Sequence, residues 1–125
     1  MNAMTDLVNR YIALWNETAD APRRALIEKT WTASARYVDP LMEGEGHEGI
    51  DAMIRAVHAR FPDHRFSLVG AVDHHKRFVR FSWHLAAPGG PAIAGGTDFA
   101  TIADDGRLET VTGFLDAVNG AKPAA

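Results

Sequence analysis

After Pro62 the hydrophobic period of the chain changes to two for the rest of its length, and this change constrains the fold more than any other feature. Before Pro62 the apolar residues recur every three or four positions, as on one face of a helix; after it they alternate, as in half-buried strands. Leu7, Val8, Tyr11, Ile12, Leu14 and Trp15 predict a first helix over 5–17, capped by Thr5 or Asp6, with Tyr11 and Trp15 on a shared face. Pro22 to Trp31 reads as a second helix with Leu26, Ile27 and Trp31 as its buried stripe. Ala35 to Asp39 alternates and stops at Pro40, which predicts a short strand with Tyr37 and Asp39 on one face and Val38 on the other. After an acidic loop over 40–49, Ile50, Met53, Ile54, Val57 and Phe61 mark a third helix that ends before Pro62.

Four strands follow, Arg65 to Asp73, Arg77 to Ala86, Ala92 to Ala103 and Arg107 to Val118. They are joined by turns at His74-His75-Lys76, Pro88 to Pro91 and Asp104-Asp105-Gly106, and tight turns make neighbouring strands antiparallel. The expected architecture is α+β, three helices against a curved, mostly antiparallel sheet, in a single domain spanning 1–125 with 119–125 as a loose tail. At 125 residues such a domain hides roughly two-thirds of its extended-chain surface, enough for a core that encloses an apolar cavity.

Composition removes several functions. With no cysteine there is no disulfide, thiolate metal site or thiol nucleophile. A net charge of -3 and basic clusters no larger than Arg23-Arg24 and His74 to Arg77 argue against a nucleic-acid partner. No apolar run approaches the ~18 residues that cross a bilayer, and Met1 to Asp6 lacks the basic start and apolar stretch of a secretion signal, so a cytoplasmic protein is expected. Gly44 to Gly49 fits the dinucleotide fingerprint GxGxxG, but Glu43, Glu45 and Glu48 would repel a pyrophosphate and no βαβ unit surrounds it. His47-Glu48 opens like a zinc-protease motif, yet Asp51 stands where the second histidine belongs, so neither metal nor cofactor is expected.

Three polar residues sit in apolar surroundings: Tyr11 on the first helix, Asp39 at the end of the short strand, and Asp98 in a strand with Ala100 and Ile102 on its face. Burial of the Asp98 carboxyl would favour its neutral form. Each also has a plain structural explanation: Tyr11 as a core tyrosine, Asp39 as a turn cap before Pro40, Asp98 facing solvent or paired with Arg80.

The run Asn9 to Leu14, the Asp39-Pro40 pair after a short strand, Asp98 followed by Asp105-Gly106-Arg107-Leu108, and the closing Gly113 to Asn119 resemble bacterial ketosteroid isomerases. More widely, they resemble the NTF2-like, SnoaL-like superfamily. The resemblance spans residues 5–119. It implies a conical, strongly curved sheet over helices, a deep apolar pocket, and a homodimer through the outer sheet face. It also implies Asp39 as general base and Tyr11 with a protonated Asp98 as donors to an enolate oxygen. A base can take a proton beside a carbonyl only where that oxygen is stabilised, and two donors in a dry pocket do so.

The expected pocket lining is Tyr11, Trp15, Trp31, Tyr37, Met53, Val57, Val111 and Leu115, for a small apolar or carbonyl-containing ligand. Trp31 and Val57 stand where some family members carry tyrosines that support the oxyanion tyrosine. Alternation puts His84 with Arg80 and Ser82 on the outer face. The same scaffold also hosts polyketide cyclases, dehydratases, epoxide hydrolases and non-catalytic binding or dimerisation modules. An arginine such as Arg55 or Arg80 inside the pocket would favour water-based chemistry, and the segment 42–48 could form a lid.

Overall fold

The structure, a computed structural model, describes residues 3–116. Helices α1 (Ala3–Asn16), α2 (Asp20–Thr30) and α3 (Gly46–Arg60) accompany six strands. The strands are β1 (Trp31–Val38), β2 (Glu43–Glu45), β3 (Arg65–His75), β4 (Phe78–Ala86), β5 (Ala92–Ile102) and β6 (Leu108–Leu115). They form one sheet in the order β2-β1-β6-β5-β4-β3, parallel only between β1 and β6. The α+β architecture is therefore the expected one, with a mixed sheet. The expected tail over 119–125 lies outside the described residues.

Helix α1 packs on β3, and α3 on β1 and β2. Register breaks between Val69 and Asp73 in β3, between Trp31 and Arg36 in β1 and between Thr101 and Ile102 in β5 bend the sheet around the helices. At the first of these, Gly70 takes φ 73°, a left-handed conformation open to glycine. The core formed between the layers includes Leu7, Val8 and Leu14 of α1, Ile27 of α2, Ile50 and Ile54 of α3 and the inward row Val79, Phe81 and Leu85 of β4.

Several local expectations are corrected. Helix α1 starts at Ala3, so Thr5 and Asp6 lie inside its first turn, where Asp6 complements the helix dipole. Helix α2 starts two residues before Pro22, which the first turn tolerates because its missing N–H has no helical partner there. Helix α3 begins at Gly46, not near Ile50, entered through a φ of 70° at Gly46. The segment expected to be loop contributes β2, which pairs with β1 through Arg36↔Glu45, Tyr37↔Gly44 and Val38↔Glu43. Glu-Gly-Glu has no alternation to betray a strand; its pairing is a property of the backbone. His74 and His75 lie at the end of β3, and the turn is at Lys76-Arg77.

Polar pins fix the helices. Arg23 is buried, with 1% of its surface exposed, and donates from Nε to Asp51 Oδ1 at 2.6 Å and from a terminal nitrogen to the carbonyls of Glu17 and Thr18. Asp51, equally buried, also receives Arg55 Nε at 3.1 Å. The Asn16 side chain donates to Phe66 O and accepts from Phe66 N at 2.9 and 2.7 Å, tying the end of α1 to the start of β3. His58 Nε2 meets Trp15 O at 2.6 Å and His47 Nε2 meets Trp31 O at 2.9 Å, so each of these histidines ties its helix to backbone elsewhere in the fold.

Candidate active site

The helices and the concave side of the sheet enclose a cavity of about 170 Å³. Helix α1 supplies Tyr11 and Trp15, β1 supplies Tyr37, and the turn after it supplies Asp39, Leu41 and Met42. Val57 comes from α3, Phe66 from β3, Trp83 and Leu85 from β4, Ala94 and Asp98 from β5, and Leu115 from β6.

Asp98 lies on β5 between Phe81 of β4 and Gly113 of β6, with 2% of its surface exposed. Tyr11 Oη donates to its Oδ2 at 2.9 Å and Trp83 Nε1 donates to its Oδ1 at 3.2 Å. Burial pushes the Asp98 carboxyl up to about 6; the two hydrogen bonds pull the other way, and the charge of Asp39 adds to the rise. Burial, then the charge of Asp98, holds the Tyr11 hydroxyl far above its ordinary value. Tyr37 is raised in the same way, by burial and then by Asp98 and Asp39. Both tyrosines are neutral donors at any working pH.

Asp39 is half-buried and held by three donors. Tyr37 Oη donates to its Oδ2 at 2.6 Å, while the amides of Leu41 and Met42 donate to its Oδ1 at 2.8 and 3.0 Å. The same turn closes through Asp39 N to Met42 O at 2.9 Å, so carboxyl and turn fix each other. Gly113 makes the meeting of these groups possible. A Cβ there would stand 2.9 Å from Asp98 Oδ1, 3.1 Å from Asp39 Cβ and 3.2 Å from Tyr37 Oη. Gly96 does the same for Trp83, whose indole a Cβ would meet at 2.6 Å. The site thus holds two carboxyl groups in unlike environments, one deep and drawn toward its neutral form, the other at the rim and fixed by donors.

Tyr11, Asp39 and Asp98 line this one cavity, together with Trp15, Tyr37, Val57 and Leu115 of the expected set. Trp31, Met53 and Val111 do not. They are core residues, exposed by 0%, 6% and 1%. Trp31 stands at the junction of α2 and β1 and packs behind the Tyr11 ring, with centroids 5.9 Å apart. Val111 pairs with Ala100, two residues beyond Asp98, where the layers are sealed by side chains. Among the lining residues not anticipated, Trp83 and Leu85 carried a signal, their inward alternation on β4, whereas Leu41 and Met42 enter through a turn that alternation does not describe.

His84 is exposed on the outer face of β4. Arg80 pairs with Asp73 at 2.7 Å and Arg55 with Asp51, so no arginine enters the cavity lining. Among the described residues no three His, Asp or Glu side chains are grouped to hold a metal ion, and no helix is long and apolar enough to cross a membrane. The glycines from Gly44 to Gly49 run from an antiparallel edge strand into α3, without the parallel unit that cradles a dinucleotide.

A raised carboxyl makes a prediction about stability. Asp98 binds its proton more tightly folded than unfolded, so stability falls as pH rises from about 3.8 to about 6 and stays reduced above. Asp98→Asn, which mimics the neutral carboxyl and can accept from Trp83 while donating to Tyr11, should gain roughly 2–3 kcal/mol at pH 7.5. Urea unfolding should show that gain vanishing near pH 4; an equal gain at both values would mean that burial of charge is not its source.

Among known proteins, the SnoaL-like domain family matches residues 8–110. A crystal structure of a candidate isomerase of the SnoaL-like family from Agrobacterium tumefaciens str. C58 is 46% identical, covering 94% of this chain and 100% of that one, with a TM-score of 0.89. A candidate SnoaL-like polyketide cyclase from Jannaschia sp. CCS1 shares the fold at 20% identity, 97% and 94% coverage and a TM-score of 0.72. A de novo designed protein with a curved β-sheet does so at 14% identity, 93% and 88% coverage and a TM-score of 0.70. No curated protein matches the chain. With its three helices inside a curved NTF2-like sheet and the family match over most of its length, the chain belongs to the SnoaL-like family.

Proposed function

We propose that this chain is a cofactor-independent isomerase that moves a proton next to a carbonyl group. The observation that carries the reading is the Tyr11–Asp98 pair, 2.9 Å apart, opening into the same apolar cavity as Asp39. Asp39 takes a proton from the carbon between the carbonyl and a β,γ double bond. The electron pair moves onto the carbonyl oxygen, where Tyr11, its O–H turned from Asp98 Oδ2 to the ligand, and protonated Asp98 both donate hydrogen bonds to it. The proton then returns from Asp39 to the far end of the dienolate, shifting the double bond with nothing gained or lost. The 46% identical Agrobacterium protein, a candidate isomerase, supports the reading. Hydration or epoxide opening has less support, because no arginine lines the cavity to hold a water or an opening oxygen.

The test is the affinity of phenol, which mimics the enolate, followed by tryptophan fluorescence. Tyr11→Phe removes one donor and should weaken phenol roughly tenfold or more, as expected for a buried hydrogen bond to a developing charge. Binding should also weaken as pH rises through about 6, where Asp98 loses the proton it donates. An unchanged affinity in Tyr11→Phe leaves a passive binding module as the better account.

The outer sheet face carries the exposed Phe99 and Phe114, with Ser82 and Thr97 bonded between strands at 2.9 Å and Val69 farther along the same face, on β3. We propose this face as the seam of a homodimer, since a monomer gains nothing by exposing such rings together. Sedimentation equilibrium should give twice the chain mass, and Phe114→Glu should return it to a monomer.

A further inference from the structure

The wall of the cavity says which ligands it admits. Six aromatic rings line it, those of Tyr11, Trp15, Tyr37, Phe61, Phe66 and Trp83, and contacts of 5.2 to 5.7 Å join Tyr37, Trp15, Phe66 and Trp83 into one tilted surface. Two carboxyl groups, Asp39 and Asp98, stand in the lining, which among the described residues has no Lys, Arg or His. The cavity holds about 170 Å³, close to the roughly 150 Å³ of an engineered apolar hole that takes up benzene. Its rim is formed by Leu41, which is 69% exposed.

We infer that the site selects uncharged ligands of one or two fused planar rings with one acceptor oxygen, and that a third or fourth ring lies outside it. For the placing of that oxygen the inference rests on the proton-transfer reading; for size and charge it rests on the wall. A ligand carboxylate would lose its hydration beside two acids with no cation to replace the water. The first ring enters between aromatic faces and the second reaches the rim. Further rings stay in water beyond Leu41 and bury little more surface.

Quenching of tryptophan fluorescence tests this with phenol, 2-naphthol, a four-ring phenolic steroid, naphthalene, and the pair 3-hydroxybenzamide and 3-hydroxybenzoate. Affinity should rise about tenfold from phenol to 2-naphthol and change less than about threefold from 2-naphthol to the steroid. The amide should bind at least about tenfold tighter than the carboxylate. A steroid bound ten times tighter than 2-naphthol, or a carboxylate bound as well as its amide, overturns the inference. Failure of the proton-transfer reading looks different. Naphthalene would then match 2-naphthol and Tyr11→Phe would change neither, while the ranking by ring count and charge would persist.

Discussion

Asp39→Asn is expected to slow the conversion of a β,γ-unsaturated ring ketone by roughly 10²–10⁴-fold, the usual contribution of a positioned general base. The substitution is close to a pure removal of basicity. The Asn carbonyl oxygen can still accept from the amides of Leu41 and Met42, and its NH₂ can donate to the Tyr37 hydroxyl, which serves equally as donor or acceptor. The turn that carries Leu41 and Met42 to the cavity should therefore survive. Phenol affinity should stay within about threefold, because the oxygen is held by Tyr11 and Asp98 and not by Asp39. Turnover measured beside phenol binding separates the two roles. A loss of less than about tenfold in turnover would remove Asp39 as the base.

The second large effect involves residues outside the cavity lining. Asp51→Ala should destabilise the fold by about 3–5 kcal/mol, because it strands the buried Arg23 guanidinium with two carbonyls and the exposed Asp20. Asp20→Ala, removing a partner whose side chain is 77% exposed, should cost less than about 1 kcal/mol. Urea unfolding of both variants tests the contrast, and similar losses in the two would mean that the buried pair is not the anchor. Asp51 also sets the acid limb of stability. Burial alone would raise its carboxyl, but the hydrogen bond and charge of Arg23, with Arg24 and Arg55, outweigh burial and hold it below the ordinary value of 3.8. Its contribution is complete above that value and lost as pH falls through the lower folded one. Asp98 acts with the opposite sign between about 3.8 and about 6. These two groups together therefore place the stability maximum at about pH 4, where the Asp51 contribution is nearly complete and the Asp98 contribution has only begun to fall.

Much of this was legible in the residues. The change of period at Pro62 separates the last helix from the meander, and alternation alone put Tyr37 and Asp39 on one face with Val38 on the other; Val38 is 41% exposed and Tyr37 buried. The same rule sent His84 outward and Trp83 inward. What escaped has physical causes. A three-residue strand such as β2 is made by its partner's backbone, and helix α3 takes up Gly46-His47-Glu48-Gly49 directly after β2. Trp31 is apolar and one residue from a helix end, and nothing in its spacing distinguishes a cavity wall from the core behind it. The Arg23–Asp51 pair joins residues 28 apart, a separation that no local pattern reports. The Trp83 bond to Asp98 depends on Gly96 leaving room for the indole, which only the assembled sheet shows.

The central claim is that Tyr11, Asp98 and Asp39 act on one ligand atom group. A crystal structure of the protein with bound phenol tests it most directly. The phenol oxygen is expected about 3 Å or less from both Tyr11 Oη and Asp98 Oδ2, with the Asp39 carboxylate over the ring. A phenol oxygen turned to the rim, with the Tyr11–Asp98 bond still closed beneath it, would contradict the claim.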